Sequence, residues 1–327
     1  MKFLDRPTIP DSPRDIFIKC INGYKGKCGD DKSVRKAERK RKRLTKCADT
    51  VAVSAALYED AIPAKPFSEP ALPARVKAKE LAGVYKEKFS AESSPGRVYY
   101  DLIRGSAHCA QCPICGEKGD NQLDHYLPES KYPTLCVNPL NLMPICDTCN
   151  KKKQDQEYSA EEGRPLHLYL DRLPMKKDVF GDFYMERFLY AKLDSEFAAT
   201  FYVQCPPDWD ETLTKRLNNH MAIYELADRY RSYVPNAYSN ISSLLRENAK
   251  ELVKQREPDE KKQVQLLDEL LRSDERITLL EDIIASKAED AVKIDINSWE
   301  SALYHAIRPK IAAFAQWLFN SDISPSK

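Results

Sequence analysis

One stretch of the chain combines thiols that can bind metal with polar side chains that can do acid–base chemistry. It contains two Cys-x-x-Cys pairs and four polar residues, namely Cys112, Cys115, Cys146 and Cys149 with Asp124, His125, Asn141 and Asn150. Four thiolates fill the tetrahedral shell of one zinc ion, so the pairs predict a closed structural zinc site. A zinc clamp needs no adjacent acid and imidazole, whereas a hydrolytic site needs oxygen ligands and a base. The stretch therefore predicts a catalytic module held together by zinc.

Cys109 allows a second pairing, because Cys109, Cys112 and Cys115 follow one another at equal spacing. Gly116 comes directly after Cys115, and glycine permits the positive-φ turn that points backbone amides at thiolate sulfurs. We therefore expect Cys112 and Cys115 to form the first half of the zinc site. Cys109, with His108 beside it, is more typical of a short helix end.

A zinc ribbon that binds a partner or nucleic acid without cutting it is the alternative interpretation of the cysteines. Ribbons separate their cysteine pairs by roughly 15 to 20 residues, whereas thirty residues lie between Cys115 and Cys146. A ribbon also has no need of an Asp-His pair or of an asparagine after its last cysteine. The inserted length favours an active-site loop.

The catalytic residues need elements that bring them together. We expect the first cysteine pair to open a strand that ends at Asp124 and His125, a return strand to precede Asn141, and Cys146 to start a helix carrying Asn150. Because the zinc shell leaves no position for water, hydrolysis requires a second cation. The carboxylate of Asp124 and the carboxamide oxygen of Asn150 are ligands suited to Mg²⁺ or Mn²⁺.

At these residues the sequence resembles the HNH nuclease family, over the stretch Cys112–Lys153. That family has a ββα-metal fold with an Asp-His pair, a central Asn and a third polar residue beside the second cysteine pair. The resemblance implies that His125 deprotonates the attacking water and that Asp124 binds the catalytic metal. It implies that Asn141 braces the loop and orients the base. Asn150 stands where the family's usual third histidine binds metal, and some members carry asparagine there too.

The resemblance implies a magnesium-dependent endonuclease that hydrolyses phosphodiester bonds of DNA. By analogy it points to bacterial HNH proteins of anti-phage defence, which act with a protein partner, an ATPase. A homing or restriction enzyme would share the same catalytic residues. RNA is an alternative substrate, because such a site recognises a phosphodiester and not the 2′ position. The alternative from another class is a non-catalytic, zinc-stabilised nucleic-acid-binding or assembly subunit.

The net charge of +1 conceals two regions of opposite charge. The first fifty residues carry 15 Lys and Arg against 7 Asp and Glu, whereas residues 241–300 carry 15 acidic against 10 basic residues. The basic run 32–46 predicts contact with phosphates, although a solvated helix face explains it equally well. The predicted nucleic-acid contacts are Arg39, Lys40, Arg41, Lys42 and Arg43, together with Lys151, Lys152 and Lys153.

The predicted fold class is α+β and mostly helical, with a small zinc-held ββα-metal module between helical flanks. We expect a basic helical arm and a proline-rich connector over 1–73, and the nuclease module with its leading helices over 74–160. A mixed α/β connector over 161–208 and a helical region over 209–327 complete the predicted organisation.

Local patterns predict the individual elements. Residues 32–60 lack Gly and Pro and predict one long helix, followed by a connector punctuated by Pro63, Pro66, Pro70 and Pro73. Further helices are predicted at 74–89, 97–105, 210–230, 236–256, 259–272, 274–289 and 298–319, with Pro235 as a boundary. Strands are predicted at 166–170, 185–193 and 197–205. His167 is predicted to be structural, with an additional active-site contact as the alternative.

No window of the sequence has the roughly 18 to 20 apolar residues of a membrane span, and the first residues lack a secretory apolar stretch. We therefore expect a soluble, cytoplasmic protein with no membrane partner. Cysteines stay reduced in that compartment, so clustered cysteines favour metal and scattered ones favour packing. The scattered cysteines are Cys20, Cys28, Cys47, Cys136 and Cys205.

Overall fold

The computed structural model describes residues 2–62, 67–107, 111–119, 121–155 and 163–323. Helices account for most of these residues, and the strands pair into two-stranded antiparallel sheets. The predicted α+β, mostly helical class is confirmed. Four residues singled out in the sequence lie outside the described ranges, namely Pro63, Pro66, His108 and Cys109.

The chain forms two compact units. The N-terminal unit comprises Met1–Arg172 and Lys215–Tyr224, and the C-terminal unit comprises Leu173–Thr214 and Glu225–Lys327. All the predicted site residues belong to the N-terminal unit. The four segments predicted from the sequence are a different division of the chain, and they stay predictions.

Three helices open the N-terminal unit: α1 (Pro13–Asn22), α2 (Asp31–Thr45) and α3 (Ala48–Ala61). The prediction of one helix over 32–60 is wrong, although neither Gly nor Pro interrupts it. The helix ends because the N–H of Cys47 bonds to the carbonyl of Leu44, three residues back, at 2.8 Å. Such bonds satisfy the last carbonyls of a helix and close it without a special residue.

A second group of helices leads to the sheet of this unit. It consists of α4 (Ala78–Val84), a π-helical turn (Tyr85–Phe89) and α5 (Arg97–Arg104). The helices predicted here are confirmed within a few residues at their ends. Leu81 and Phe89 are fully buried and join a core cluster with side chains of α1 and α3.

The sheet consists of β1 (Asn121–His125) and β2 (Leu142–Cys146), paired antiparallel so that His125 faces Leu142. Helix α6 (Asp147–Lys153) follows β2 directly. The return strand was predicted to precede Asn141, and this is wrong, because β2 begins after it. Asn141 instead ends a 3₁₀ turn (Pro139–Asn141), which proline favours because its φ is fixed and it lacks an N–H.

A second predicted strand, at 166–170, is also wrong. These residues form a turn, because the chain folds back onto Asp171. The N–H of Asp171 donates to the carbonyl of His167 at 3.1 Å, and the N–H of His167 donates to the Asp171 carboxylate at 2.5 Å. Paired bonds of this kind compete with an extended strand.

The strands of the C-terminal unit form two hairpins. In the first, β3 (Met175–Lys177) pairs with β4 (Phe183–Met185), and in the second, β5 (Leu189–Leu193) pairs with β6 (Ala199–Val203). The strand predicted at 197–205 is confirmed by β6, and the strand predicted at 185–193 is confirmed from Leu189 onward by β5.

Six more helices follow within the described residues up to 323: α7 (Glu211–Ile223), α8 (Leu226–Arg256), α9 (Glu260–Arg272), α10 (Glu275–Ile294), α11 (Trp299–Ile307) and α12 (Ile311–Ile323). Residues of α7 from Lys215 onward belong to the N-terminal unit. Among the described helices, none combines the length and the apolar character that a membrane crossing requires.

Pro235 lies inside α8 and is not the predicted boundary. The break falls at Glu225 instead, where the backbone adopts a left-handed φ of 49°. Buried residues continue at helical spacing across the proline, from Val234 to Ala237, Tyr238 and Ile241. Their packing offsets the roughly 3 kcal/mol that an internal proline costs. The helix predicted over 298–319 is divided by a 3₁₀ turn at Arg308–Lys310.

Candidate functional site

The four cysteines predicted to bind zinc converge in the structure. The sulfur atoms of Cys112, Cys115, Cys146 and Cys149 all lie within 4.8 Å of one another. The sulfurs of Cys112 and Cys149 are 3.8 Å apart, as are those of Cys115 and Cys146. Four thiolate donors around one point match the closed shell of a structural zinc site. This thiol cluster can therefore hold zinc.

Local backbone geometry builds the thiol cluster. Gly116 has a φ of 79°, and its N–H donates to the carbonyl of Cys112 at 2.8 Å, so the predicted glycine turn is confirmed. Cys146 caps α6 by accepting the N–H of Cys149 on its sulfur at 3.5 Å. Hydrogen bonds among the four thiols lower the pKa of Cys112 and Cys146 and raise the pKa of Cys115 and Cys149. In the absence of metal, the thiols of the cluster therefore share their protons, and a bound metal would require all four as thiolates.

Asp124, His125 and Asn150 line a single cavity of about 350 Å³. Asp124 and His125 come from the end of β1, and Asn150 comes from α6. The antiparallel pairing of β1 with β2 and the direct passage from β2 into α6 bring them to this cavity. The fourth predicted catalytic residue, Asn141, is not among the lining residues.

The ring of His125 is buried and held in one orientation. Its Nε2 lies 2.9 Å from the carbonyl oxygen of Cys136. A carbonyl oxygen only accepts, so Nε2 carries the hydrogen and Nδ1 of the neutral ring is the acceptor. Tyr85 packs edge-to-face on the ring with centroids 4.5 Å apart. Burial lowers the pKa of His125 below 6.5, so that the ring is neutral near pH 7 and can take up a proton.

Asn141 closes the loop that follows His125. Its Oδ1 accepts the N–H of Leu127 at 2.8 Å, and its Nδ2 donates to the Leu127 carbonyl at 3.0 Å. The backbone carbonyl of Asn141 also accepts the N–H of Tyr126 at 2.8 Å. Because the side chain is fully buried, these bonds satisfy groups that have no access to water. The contacts suit a bracing residue, and its effect on catalysis stays a prediction.

Lys153, a predicted phosphate contact, has a buried side chain that lines the cavity, and its contact with phosphate stays a prediction. Its Nζ donates to the carbonyl of His125 at 2.6 Å and lies 3.0 Å from Oδ2 of Asp124. The Lys153 ammonium and the Asp124 carboxylate are close enough for an ion pair, but they are not aligned for a hydrogen bond. A buried ammonium requires such partners, because desolvation without them is costly. Lys153 thus connects the two residues of the Asp-His pair.

The other predicted nucleic-acid contacts have more varied surroundings. Lys151 is exposed and forms an ion pair with Asp147, whereas Lys152 is half-buried. On α2, Arg39 and Lys42 are exposed and Arg41 is half-buried. Their role in binding nucleic acid stays a prediction.

Two further residues of α2 are held by the helices beside it. Lys40 Nζ is 2.9 Å from Glu87, and Arg43 is 2.6 Å from Glu80. These ion pairs connect α2 to α4 and to the π-helical turn.

Two cavity residues that contact His125, Glu129 and Tyr85, were missed in the sequence. Glu129 lies 3.5 Å from Nε2 of His125 through its Oε2, a buried oxygen with no hydrogen bond in the described residues. Burial, with Asp155 and Asp124 nearby, raises the pKa of Glu129 to about 7. Its position four residues after the histidine was the available signal. Tyr85 stands far upstream in the π-helical turn, and no local pattern indicates its contact with His125.

His167 is a core residue and does not line the cavity. Its Nδ1 accepts the N–H groups of Tyr169 and Leu170 at 3.2 Å, and its Nε2 lies 2.9 Å from the hydroxyl of Tyr58. Burial, with the nearby charge of Arg216, lowers the pKa of His167 to about 3. These contacts agree with the structural role predicted for it.

Comparison with known proteins shows similarity over part of the chain. The chain is 33% identical to Protein ea31 of Escherichia phage lambda over 156 residues, which are 46% of this chain and 50% of that protein. It is 37% identical to Septu protein PtuB of Bacillus thuringiensis over 51 residues, which are 16% of this chain and 20% of that protein. The chain thus spans half the length of these relatives or less. No protein-family model and no solved structure matches it.

Proposed function

We propose that this protein is a metal-dependent HNH endonuclease that hydrolyses phosphodiester bonds of DNA. The observation that carries the proposal is the cavity that Asp124, His125 and Asn150 line, where the Cys136 carbonyl holds Nε2–H of His125 and leaves Nδ1 as the acceptor nitrogen of the neutral ring. Oxygen ligands beside an oriented imidazole are the groups that metal-assisted hydrolysis requires. The resemblance of Cys112–Lys153 to the HNH family supports the same activity.

In the proposed reaction His125 acts as the general base. Its Nδ1 removes a proton from water, the water oxygen attacks phosphorus, and the bond from phosphorus to the departing sugar oxygen breaks. The carbonyl of Cys136 keeps the ring oriented throughout, since it remains an acceptor for Nε2–H in both protonation states. The imidazolium that forms faces the carboxylate of Glu129 at 3.5 Å. We assign Glu129 as a positioning residue that stabilises this charge.

The cavity offers oxygen donors for a cation. The carboxylate of Asp124 and the carboxamide of Asn150 suit Mg²⁺ or Mn²⁺, and Oδ2 of Asp124 is a buried oxygen that forms no hydrogen bond with any described residue. When bound, the cation would neutralise charge on the phosphate and on the leaving oxygen. Lys153 holds Asp124 in place by its ion pair and, through the carbonyl of His125, fixes the backbone between the two residues.

The thiol cluster would hold zinc as a scaffold. Its four donors leave no position for water, so zinc there would contribute folding energy and no chemistry. Cys146 caps α6, which carries Asn150 and Lys153, so the cluster would fix the start of the helix that completes the cavity.

The experiment is cleavage of supercoiled plasmid, single-stranded DNA and RNA with Mg²⁺ or Mn²⁺, by wild type and His125→Ala. We expect wild type to cut DNA and the variant to lose roughly 10² to 10⁴-fold in rate while keeping its zinc and its fold. His305→Ala is the matched control, because His305 is exposed and belongs to the C-terminal unit. Equal cutting by His125→Ala, or no cutting by zinc-loaded wild type with any substrate, would overturn the proposal.

We extend the proposal to anti-phage defence with a protein partner. Its support is the resemblance to bacterial HNH proteins of defence systems, together with the partial similarity to Septu protein PtuB. The test is phage plating on cells that express the protein with its native neighbouring genes. Fewer plaques with wild type than with His125→Ala are expected, and equal plaque numbers would contradict a defence role that depends on cleavage.

A further inference from the structure

A wide groove of about 990 Å³ lies along α2 in the N-terminal unit. Its lining residues precede the thiol cluster in the sequence. Six cationic side chains line it, namely Lys32, Arg35, Lys36, Arg39, Lys40 and Arg43. Three carboxylates also line it, those of Asp31, Glu80 and Glu87. The groove is therefore positively charged, although the whole chain is nearly neutral.

The carboxylates of the groove form ion pairs with some of its cations and not with others. Glu87 and Glu80 are paired with Lys40 and Arg43, at 2.9 and 2.6 Å. The Lys40 ammonium also lies 4.0 Å above the ring of Tyr24, a cation–π contact. These two cations are thus used to hold α2 against its neighbours. Asp31 stands in the first turn of α2, where a negative charge is favoured by the helix dipole.

The remaining four cations form one exposed stripe. Lys32, Arg35, Lys36 and Arg39 are exposed and have no ion-pair partner among the residues that the structure describes. Their spacing of three and four residues places them on one face of α2. At 1.5 Å per residue the stripe is about 10 Å long. That length corresponds to about three phosphates of one DNA strand.

The groove and the candidate active site share a wall. The π-helical turn Tyr85–Phe89 contributes Glu87 to the groove and Tyr85 to the cavity, where Tyr85 packs on His125. The same turn therefore anchors α2 through Lys40 and supports the candidate base. A polymer bound along the groove would meet the element that positions His125.

We propose that this groove binds the phosphate backbone of a nucleic acid through the stripe Lys32, Arg35, Lys36 and Arg39. Lys40 and Arg43 act as anchors for α2 and not as phosphate contacts. The inference deepens the proposed nuclease function and rests on it for the identity of the polymer. A regular row of cations along one face of a helix favours a repeating polyanion over a folded acidic protein.

The test is equilibrium binding of a short labelled DNA duplex to full-length His125→Ala in the absence of divalent metal, over 50 to 200 mM salt. The stripe variant changes all four cations to glutamine: Lys32→Gln, Arg35→Gln, Lys36→Gln and Arg39→Gln. A matched control removes the same charge from exposed lysines of the same unit that neither line the groove nor are predicted nucleic-acid contacts: Lys25→Gln, Lys27→Gln, Lys46→Gln and Lys77→Gln. Circular dichroism and zinc content establish that each variant is folded.

We expect the stripe variant to bind at least about tenfold more weakly and to lose about three units from the slope of log affinity against log salt, at about 0.9 per phosphate contact. The control should lose less than about one unit. Equal losses in both variants would overturn the proposal, because the charges would then act only as a diffuse field. An unchanged DNA slope in the stripe variant with lost binding of polyglutamate would overturn it in favour of an acidic protein segment.

The binding experiment and the cleavage experiment fail independently. Loss of slope in the stripe variant with no cleavage by wild type on any substrate would remove the nuclease and leave a nucleic-acid-binding groove. Cleavage by wild type with an unchanged slope in the stripe variant would keep the nuclease and remove the groove as its binding surface.

Discussion

The thiol cluster and the cavity are built on the same short sheet and helix, yet they differ in how their polar atoms are satisfied. In the cluster the four sulfurs face one another and the backbone N–H of Cys149, so the donor set is closed. In the part of the cavity that the structure describes, Oε2 of Glu129 is buried with no hydrogen bond, and Oδ2 of Asp124 has only its ion pair with Lys153. A closed donor set stabilises a fold, whereas buried oxygens that lack hydrogen bonds, beside an oriented base, leave capacity for a ligand.

The largest expected effect separates scaffold from chemistry. Cys149→Ala leaves three thiols, so we expect loss of zinc and unfolding of the β1–β2–α6 segment, since zinc binding in small sites contributes on the order of 10 kcal/mol. Metal analysis and limited proteolysis measure this. Cys28→Ala is the control, because Cys28 is exposed and outside the cluster. Full zinc content and protease resistance in Cys149→Ala would break the distinction between the two sites.

Asn141→Ala tests whether bracing and chemistry are separable. The change leaves the N–H and carbonyl of Leu127 buried without their partners, so the free energy of unfolding should fall by about 2 to 4 kcal/mol. Urea denaturation measures the change, and the exposed Asn236→Ala should show almost none. Abolished cleavage at unchanged stability would instead assign Asn141 to the reaction itself.

Two buried histidines outside the cavity, His167 and His220, allow the effect of burial on stability to be measured as a function of pH. Burial lowers the pKa values of His167 and His220 to about 3, so each is neutral when folded. Below pH 6.5 the unfolded chain binds the proton and the folded chain does not, so stability present at pH 7 is lost as pH falls. Each histidine should cost about 2 kcal/mol between pH 7 and pH 5.

His220→Phe isolates one of these two contributions. Both ring nitrogens of His220 are buried with no hydrogen bond in the described residues, and the ring packs on Tyr224. The variant should therefore be no less stable at pH 7 and should lose about 2 kcal/mol less than wild type between pH 7 and pH 5. Urea midpoints at the two pH values measure it. An unchanged pH dependence would contradict the assignment.

The smallest expected effect concerns Glu129. Glu129→Gln keeps the shape and removes the charge that faces the imidazolium, so kcat should fall about tenfold with little change in KM. Glu129→Asp should recover part of the loss, which a merely structural role would not predict. Steady-state cleavage kinetics of both variants measure this. A change confined to KM would assign Glu129 to substrate binding.

The elements of the site were largely predictable, and their connections were not. The strand ending at His125 and the helix starting at Cys146 followed from local pattern and from the thiols. The position of the return strand relative to Asn141 was predicted wrongly. The side chain of Asn141 bonds to Leu127 within a loop, and a loop leaves no periodic signal in the sequence. The division of 32–60 into two helices depended on hydrogen bonds that any residue type can make.

The sequence by itself determined the donor chemistry of this protein, because each thiol pair, the Asp-His pair and Asn150 lie in short motifs whose function depends on residue type and local spacing. Only the tertiary structure decided that Lys153 is an internal ion pair, that Glu129 and Tyr85 contact His125, and that α2 divides into anchored and free cations. These contacts arise where packing brings separate segments together, and burial then determines which charges must find partners and which remain for a ligand.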